Sequence, residues 1–443
     1  MEEEILNLVI AGHVDHGKST IIGRLLADTH SLPKGKLEAV RENCRRTARP
    51  FEYAFLLDAL KDEQAQGITI DAARTFFKTD LRKYMIIDAP GHIEFLKNMV
   101  TGAASAEAAL LVIDAAEGVR ENSRRHGFML SFLGIRQMCV LVNKMDLVGF
   151  DQAVFDAIVR EYTDFLKQLD VTPMGFIPVS GREGDNIATR SAHMPWYSGP
   201  TVLEQLDAFT PEARPENKPL RMPVQDVYKF TARGDTRRIV AGRIETGRLR
   251  VGEEVVFYPS GKKSTIQSLA SMDGLSDQRE AEAGWSVGFT LSEQIYVRRG
   301  EIATHPSCPR PQTASRIKVS LFWLGRAPLQ KGKKYLFKLG TARVEMEIER
   351  FIRIIDASTL EARNQDQVER NDVAECILKL DQLTAFDLAA DVPETGRFVI
   401  VDDYEISGGG VVLDVVEDRQ AVISARAQER NTRWEAAISD EER

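Results

Sequence analysis

The chain has 443 residues, too many for one ordinary core, so about two to four domains are expected. Its net charge of −8 leaves no overall basic footprint for nucleic acid, and 43% hydrophobic with 28% charged residues is the balance of a globular protein. The four cysteines, Cys44, Cys139, Cys308 and Cys376, form no C-x-x-C pair, which excludes a legible zinc or redox motif and fits reduced, packed thiols in the cytoplasm.

The acidic start, Met1 to Glu4, runs straight into a strand and does not read as a signal peptide. No apolar run approaches the roughly 20 residues that span a bilayer, so no membrane association is expected. Ile5 to Ala11 reads as a buried strand, followed by a glycine-rich turn and a helix over Lys18 to Thr29. Further short apolar strands fall at Tyr84 to Ile87, Ala109 to Asp114, Met138 to Val142 and Phe176 to Val179, with helical patterns at Arg120 to Leu133 and Gln152 to Leu169. Strands alternating with helices predict a mostly parallel sheet covered on both faces.

After Thr210 the texture changes. Pro211, Pro215, Pro219 and Pro223 punctuate a charged linker. Short alternating runs follow at Val224 to Tyr228, Ile239 to Glu245, Glu254 to Tyr258 and Trp285 to Leu291, the pattern of a β-barrel. A second proline-rich break at His305 to Pro311 precedes another set, Ser315 to Trp323, Lys334 to Leu339, Ala342 to Ile354, Glu375 to Leu380 and Arg397 to Asp402. The expected organisation is an α/β P-loop domain over 1–210, barrels over 220–308 and 312–418, and a charged tail over 419–443.

Gly12-His13-Val14-Asp15-His16-Gly17-Lys18-Ser19, with Thr20 behind it, matches G-x-x-x-x-G-K-[ST] between a strand and a helix. There the backbone N–H groups and the helix N-terminus cradle phosphates, Lys18 reaches them as a cation, and the Ser19 hydroxyl suits Mg²⁺. His13 and His16 read as structural members of this loop. Asp88 ends a buried strand, where a carboxylate can hold Mg²⁺ through water, and Gly91 can offer its N–H to a γ-phosphate. Asn143-Lys144-Met145-Asp146 follows another strand. Asp146 can accept from guanine N1–H and the 2-amino group, where adenine would leave a buried carboxylate unpaired, a cost of about 1–3 kcal/mol. Asn143 would brace neighbouring loops, the Lys144 stem would cover the base, and Ser180-Gly181 would complete the guanine pocket through backbone contacts. Thr69, in Gly67-Ile68-Thr69, could ligate Mg²⁺ only while the γ-phosphate is present, which makes a switch; on the residues alone it reads first as a β-branched strand position. His92, next to Gly91, could orient the attacking water.

These motifs resemble the translational GTPases of the elongation factor Tu and 1-alpha type across nearly the whole chain. Gly242-Arg243-Ile244-Glu245 is similar to their first barrel and Gly396-Arg397-Phe398-Val399-Ile400 to their second, while Met194-Pro195-Trp196-Tyr197-Ser198-Gly199-Pro200-Thr201 closes the GTPase domain in the 1-alpha branch. The resemblance implies a catalytic role for His92, near which Val14 and Ile68 would form an apolar gate, with GTP and Mg²⁺ as ligands. Gly23 to Thr29, Gly67 to Asp71, Arg124-Arg125-His126, Leu133-Gly134-Ile135 and Glu183 to Asn186 look particularly like the GTPase subunits of bacterial sulfate adenylyltransferase. That likeness implies a heteromer with an ATP-sulfurylase catalytic subunit, in which GTP hydrolysis drives ATP and sulfate to adenylyl sulfate and pyrophosphate. The chain departs from that pattern at His13, His16 and Gly181, where Ser, Asp and Ala are usual. No appended kinase domain is read, so no adenylyl-sulfate kinase activity is expected. The alternatives are an elongation factor delivering aminoacyl-tRNA, the only case in which nucleic acid is expected, and a scaffold with vestigial hydrolysis. The intact Lys18, Ser19, Thr69, Asp88 and His92 argue against the scaffold.

Overall fold

Leu6, Leu8, Val9, Ile10 and Ala11 are all fully buried, which a strand achieves only when both its faces are covered. They belong to β1 (Ile5–Gly12) in a computed structural model that describes residues 5–47, 50–57, 73–89, 106–211, 215–229, 237–270, 279–363 and 365–416. The helices α1 (Lys18–Asp28) and α2 (Lys36–Arg46) follow. An edge strand β2 (Ala73–Lys78) lies antiparallel to β3 (Lys83–Asp88). Strand β1 runs parallel to β3 on one side and to β4 (Ala108–Asp114) on the other. Beyond β4 come α3 (Glu121–Phe132), β5 (Gln137–Asn143), α4 (Gln152–Gln168), β6 (Gly175–Pro178) and α5 (Val202–Ala208). The sheet order is β2-β3-β1-β4-β5-β6, parallel except for β2. The short amphipathic strand β2 escapes a sequence reading because Phe76 is exposed and Phe77 buried, so no apolar run marks it.

The register aligns the strand ends that matter. Ile10 pairs with Asp88, Gly12 with Val112, and Asp114 with Asn143. The carboxyl ends of β1, β3, β4 and β5 therefore open onto one edge of the sheet, where β1 sends its neighbours to either side. Open α/β sheets bind ligands at such a switch point. Helix α1 buries Ile21, Ile22, Leu25 and Leu26 against the sheet. Asp151 caps α4 by accepting from the Ala153 N–H at 2.8 Å, and Thr201 with Glu204 forms a reciprocal capping box at the start of α5.

Residues 1–212 with Ala357–Leu360 form one compact unit, and 213–356 with 361–443 form a second. In the second unit Met222–Lys229, Arg238–Arg243, Glu254–Tyr258, Lys262–Ala270, Ser286–Leu291 and Ile302–Thr304 close into a barrel. A second ring is formed by Gln312–Trp323, Lys334–Leu339, Ala342–Asp356, Asp372–Phe386, Arg397–Asp402 and Glu405–Val415, closed by pairing of Lys334–Leu339 with Ala342–Asp356. Pro223, the last of the linker prolines, sits inside the first barrel strand and pairs there with Ile302, and the pairing of that strand with Arg238–Arg243 shifts register just beyond it, between Val224 and Asp226. Glu405–Val415 went unread because Gly408, Gly409 and Gly410 give it the composition of a loop. Packing demands two of those glycines: a Cβ at Gly408 would stand 2.8 Å from the Trp323 ring, and one at Gly410 2.6 Å from the Phe398 ring.

Arg221 joins the two barrels. Its guanidinium donates to both carboxylate oxygens of Asp387 at 2.7 and 2.8 Å, and also to Thr304 Oγ1 and the Pro309 and Leu220 carbonyls. Thr395 donates to the same carboxylate at 2.5 Å. The tail expected over 419–443 lies outside the described residues.

Candidate functional site

The turn after β1 departs from ordinary backbone where the motif requires it. Gly17 has φ 87°, and a Cβ there would lie 2.4 Å from the Asn143 amide nitrogen. Only glycine allows that approach. Lys18 folds back over the loop, its ammonium donating to the carbonyls of Gly12 and His13 at 2.9 Å each. Burial pulls Lys18 below the usual lysine range, with Asp88 and Asp15 opposing the shift. The loop thus holds a desolvated cation on neutral dipoles, an arrangement that favours an arriving anion.

The histidines of the loop have structural partners. His13 Nδ1 lies 2.9 Å from the Asn122 amide nitrogen of α3, and the buried His16 Nδ1 lies 3.0 Å from the Val112 carbonyl of β4. Asn143 ties three loops together. Its amide donates to the His16 carbonyl at 2.8 Å, and its Oδ1 accepts from the Gly181 N–H at 2.9 Å. Of the Ser180-Gly181 backbone expected beside guanine, the Gly181 N–H is the group that Asn143 engages. Ser180 is buried, its hydroxyl accepting from the Glu183 N–H at 3.2 Å, so it shapes the turn. Lys144, at φ 62°, pairs its ammonium with the buried Asp114 carboxylate at 2.8 Å, which anchors the stem beside Asp146.

Ser19 Oγ donates to Asp88 Oδ2 at 3.0 Å. A hydroxyl and a carboxylate meeting at the mouth of a phosphate loop form an oxygen donor set that fits Mg²⁺, which takes one or two protein ligands and completes its shell with phosphates and water. Among the described residues no group of three or more His, Cys, Asp or Glu could hold a metal ion. Thr69, Gly91 and His92, together with Ile68, lie outside the described residues.

Val14, Lys18, Thr20, Asn143, Asp146 and Gly181 line a single cavity of about 650 Å³. Two groups around it are absent from the sequence reading. Asp114, which holds Lys144, was signalled by its place at the end of a strand, the same signal that marks Asp88. The stretch Pro50–Ala54, which also lines the cavity, carries no motif.

The Elongation factor Tu GTP binding domain model matches residues 3–212, the Elongation factor Tu domain 2 model 237–304, and the GTP-eEF1A C-terminal domain-like model 316–413. Sulfate adenylyltransferase subunit 1 of Laribacter hongkongensis (strain HLHK9) is 37% identical over 403 residues, covering 90% of this chain and 83% of that protein. Elongation factor 1-alpha of Thermoplasma acidophilum is 35% identical over 421 residues, covering 93% and 98%. A solved structure of sup35 complexed with GDP aligns over 94% of this chain and 95% of its own at 22% identity and a TM-score of 0.43. With a phosphate loop, a guanine-type N-K-x-D loop and two barrels in that order, this chain belongs to the elongation factor Tu and 1-alpha family and is a GTP-hydrolysing enzyme.

Proposed function

We propose that this chain is the GTPase subunit of a sulfate adenylyltransferase. GTP hydrolysis here drives a separate catalytic subunit to convert ATP and sulfate into adenylyl sulfate and pyrophosphate. The observation that carries this reading is the extended likeness to sulfate adenylyltransferase subunit 1 of Laribacter hongkongensis, which spans both barrels as well as the nucleotide domain. The setting is the cytoplasm, where GTP and ATP are supplied.

In this reading Lys18 and the backbone of Gly12 to Thr20 hold the phosphates, and Ser19 and Asp88 would hold Mg²⁺, whose chemistry there would be to neutralise charge on the phosphate oxygens. Thr69 joins them only in the triphosphate state, and His92 orients water. Asp146 reads guanine, and Asn143 keeps the base loops and the phosphate loop in one geometry. The test is affinity capture of the tagged chain from its native cells, followed by an assay of adenylyl sulfate synthesis with and without GTP. Co-purification of an ATP-sulfurylase catalytic subunit with GTP-stimulated synthesis is expected. In the His92→Ala variant, GTP affinity stays near wild type while hydrolysis and stimulation both fall.

A second reading, delivery of aminoacyl-tRNA, is favoured by one feature of the two-barrel unit. Lys262, Arg298, Arg299 and Arg343 line a cavity of about 400 Å³, a surface suited to backbone phosphates. Capture of aminoacyl-tRNA with no sulfurylase activity would replace the first reading with this one.

A further inference from the structure

Two of the three parts of the nucleotide cavity belong to motifs: the phosphate loop at one end, and the loops after β5 and β6 at the other. The third part is Pro50–Ala54. A nucleotide laid from Lys18 to Asp146 places its sugar between those ends. Among the described residues, Pro50–Ala54 is the stretch of lining that belongs to neither end.

This stretch is clamped. Tyr53–Leu56 forms a single tight helical turn with Leu56 buried. Gly23 of α1 receives it, since a Cβ at that position would stand 2.1 Å from the Tyr53 carbonyl oxygen. Arg24, the next residue, sets its guanidinium 5.1 Å from the centre of the Tyr53 ring while its Nε donates to both Asp28 carboxylate oxygens at 2.9 Å. Arg24 Nη1 donates to the Arg182 carbonyl at 3.4 Å, and a Cβ at Gly184 would fall 2.3 Å from Arg24 Nη2. One side chain therefore braces the Tyr53 turn against the loop after β6. The Phe51 ring meets Tyr53 edge-on at 5.0 Å and lies 5.2 Å from the Arg41 guanidinium. Glu52 opens the turn, yet its carboxylate makes no capping bond and stays exposed at the cavity.

We propose that Pro50–Ala54 is the sugar-recognising wall of the GTP pocket, with the Glu52 carboxylate accepting from the ribose 2′- and 3′-hydroxyls. Two adjacent hydroxyl donors suit a carboxylate, which only accepts. Arg24 is a positioning residue: it holds the sugar wall and the loop beside guanine in one arrangement. This assignment rests on a guanine nucleotide being the ligand.

Titration calorimetry of the full chain with GDP, 2′-deoxy-GDP and 2′,3′-dideoxy-GDP tests it. Wild type is expected to lose roughly tenfold in affinity when both hydroxyls are removed. Glu52→Ala is expected to bind GDP and the dideoxy analogue alike, at the wild-type dideoxy affinity. Arg24→Met narrows the same ratio, a change that a general loss of stability would not select. Equal binding of the three ligands by wild type, or an unchanged ratio in Glu52→Ala, overturns the sugar assignment while leaving GTP binding intact. No binding of any of them by wild type would overturn both.

Discussion

Each unit of the molecule buries a cation, and the two are satisfied in opposite ways. Lys18, in the nucleotide-binding unit, is 7% exposed and is held by two backbone carbonyls. Arg221, in the two-barrel unit, is 1% exposed and is closed by a bidentate carboxylate, a hydroxyl and two carbonyls. A cation held on dipoles stays under-compensated, and burial pulls Lys18 toward its neutral form. That costs the folded protein and is recovered when an anion binds. A cation closed by its own carboxylate has nothing to offer a ligand, and its role is architectural. How deeply a charge is buried therefore does not reveal its purpose; the charge of its partners does.

Three experiments can break or sharpen this contrast. Arg221→Met leaves Asp387 buried without its cation and should lower the stability of the two-barrel unit by about 3–5 kcal/mol. Adding Asp387→Leu should restore most of that loss. The measurement is urea unfolding followed by a probe in the barrels, and an unmoved midpoint in the single variant would remove Arg221 from the architecture.

Lys18→Met should behave in the opposite way. GDP affinity is expected to fall at least about 100-fold, or roughly 2.7 kcal/mol. Stability without nucleotide should hold or rise by about 1 kcal/mol, because a desolvated charge is removed. Calorimetry and nucleotide-free unfolding measure the two halves. A clear loss of nucleotide-free stability would make Lys18 architectural as well.

The smallest effect concerns His126, buried in α3 near Lys18. Burial, with Lys18 second, pushes it down to about 3. Its folded value lies below the unfolded one, so the unfolded chain takes up the proton first and stability falls as pH drops from about 6.5 toward 3. His126→Leu should abolish about 2 kcal/mol of the stability lost between about pH 7 and pH 5. Matching losses in wild type and variant, by chemical unfolding at both pH values, would contradict it.

The phosphate and base loops were legible because the chemistry proposed for them restricts residue identity over a few contiguous positions: Gly17 for its φ, Lys18 for charge, Asp146 for the two donors that guanine would present. The parallel sheet was legible because strands buried on both faces are continuous apolar runs, as in β1 and β4. Three glycines concealed Glu405–Val415, since a residue chosen to admit Trp323 and Phe398 reads as a loop until those rings are in place.

The sequence by itself determined the family and the α/β-then-barrels order, which rest on local patterns. Tertiary structure alone decided that Asn143 uses the Gly181 N–H, that Asp114 takes Lys144, that Pro50–Ala54 completes the pocket, and that Arg221 meets Asp387 from 166 residues away. Those partnerships depend on distances between segments remote in the chain, and neither residue of such a pair carries a local sign of the other.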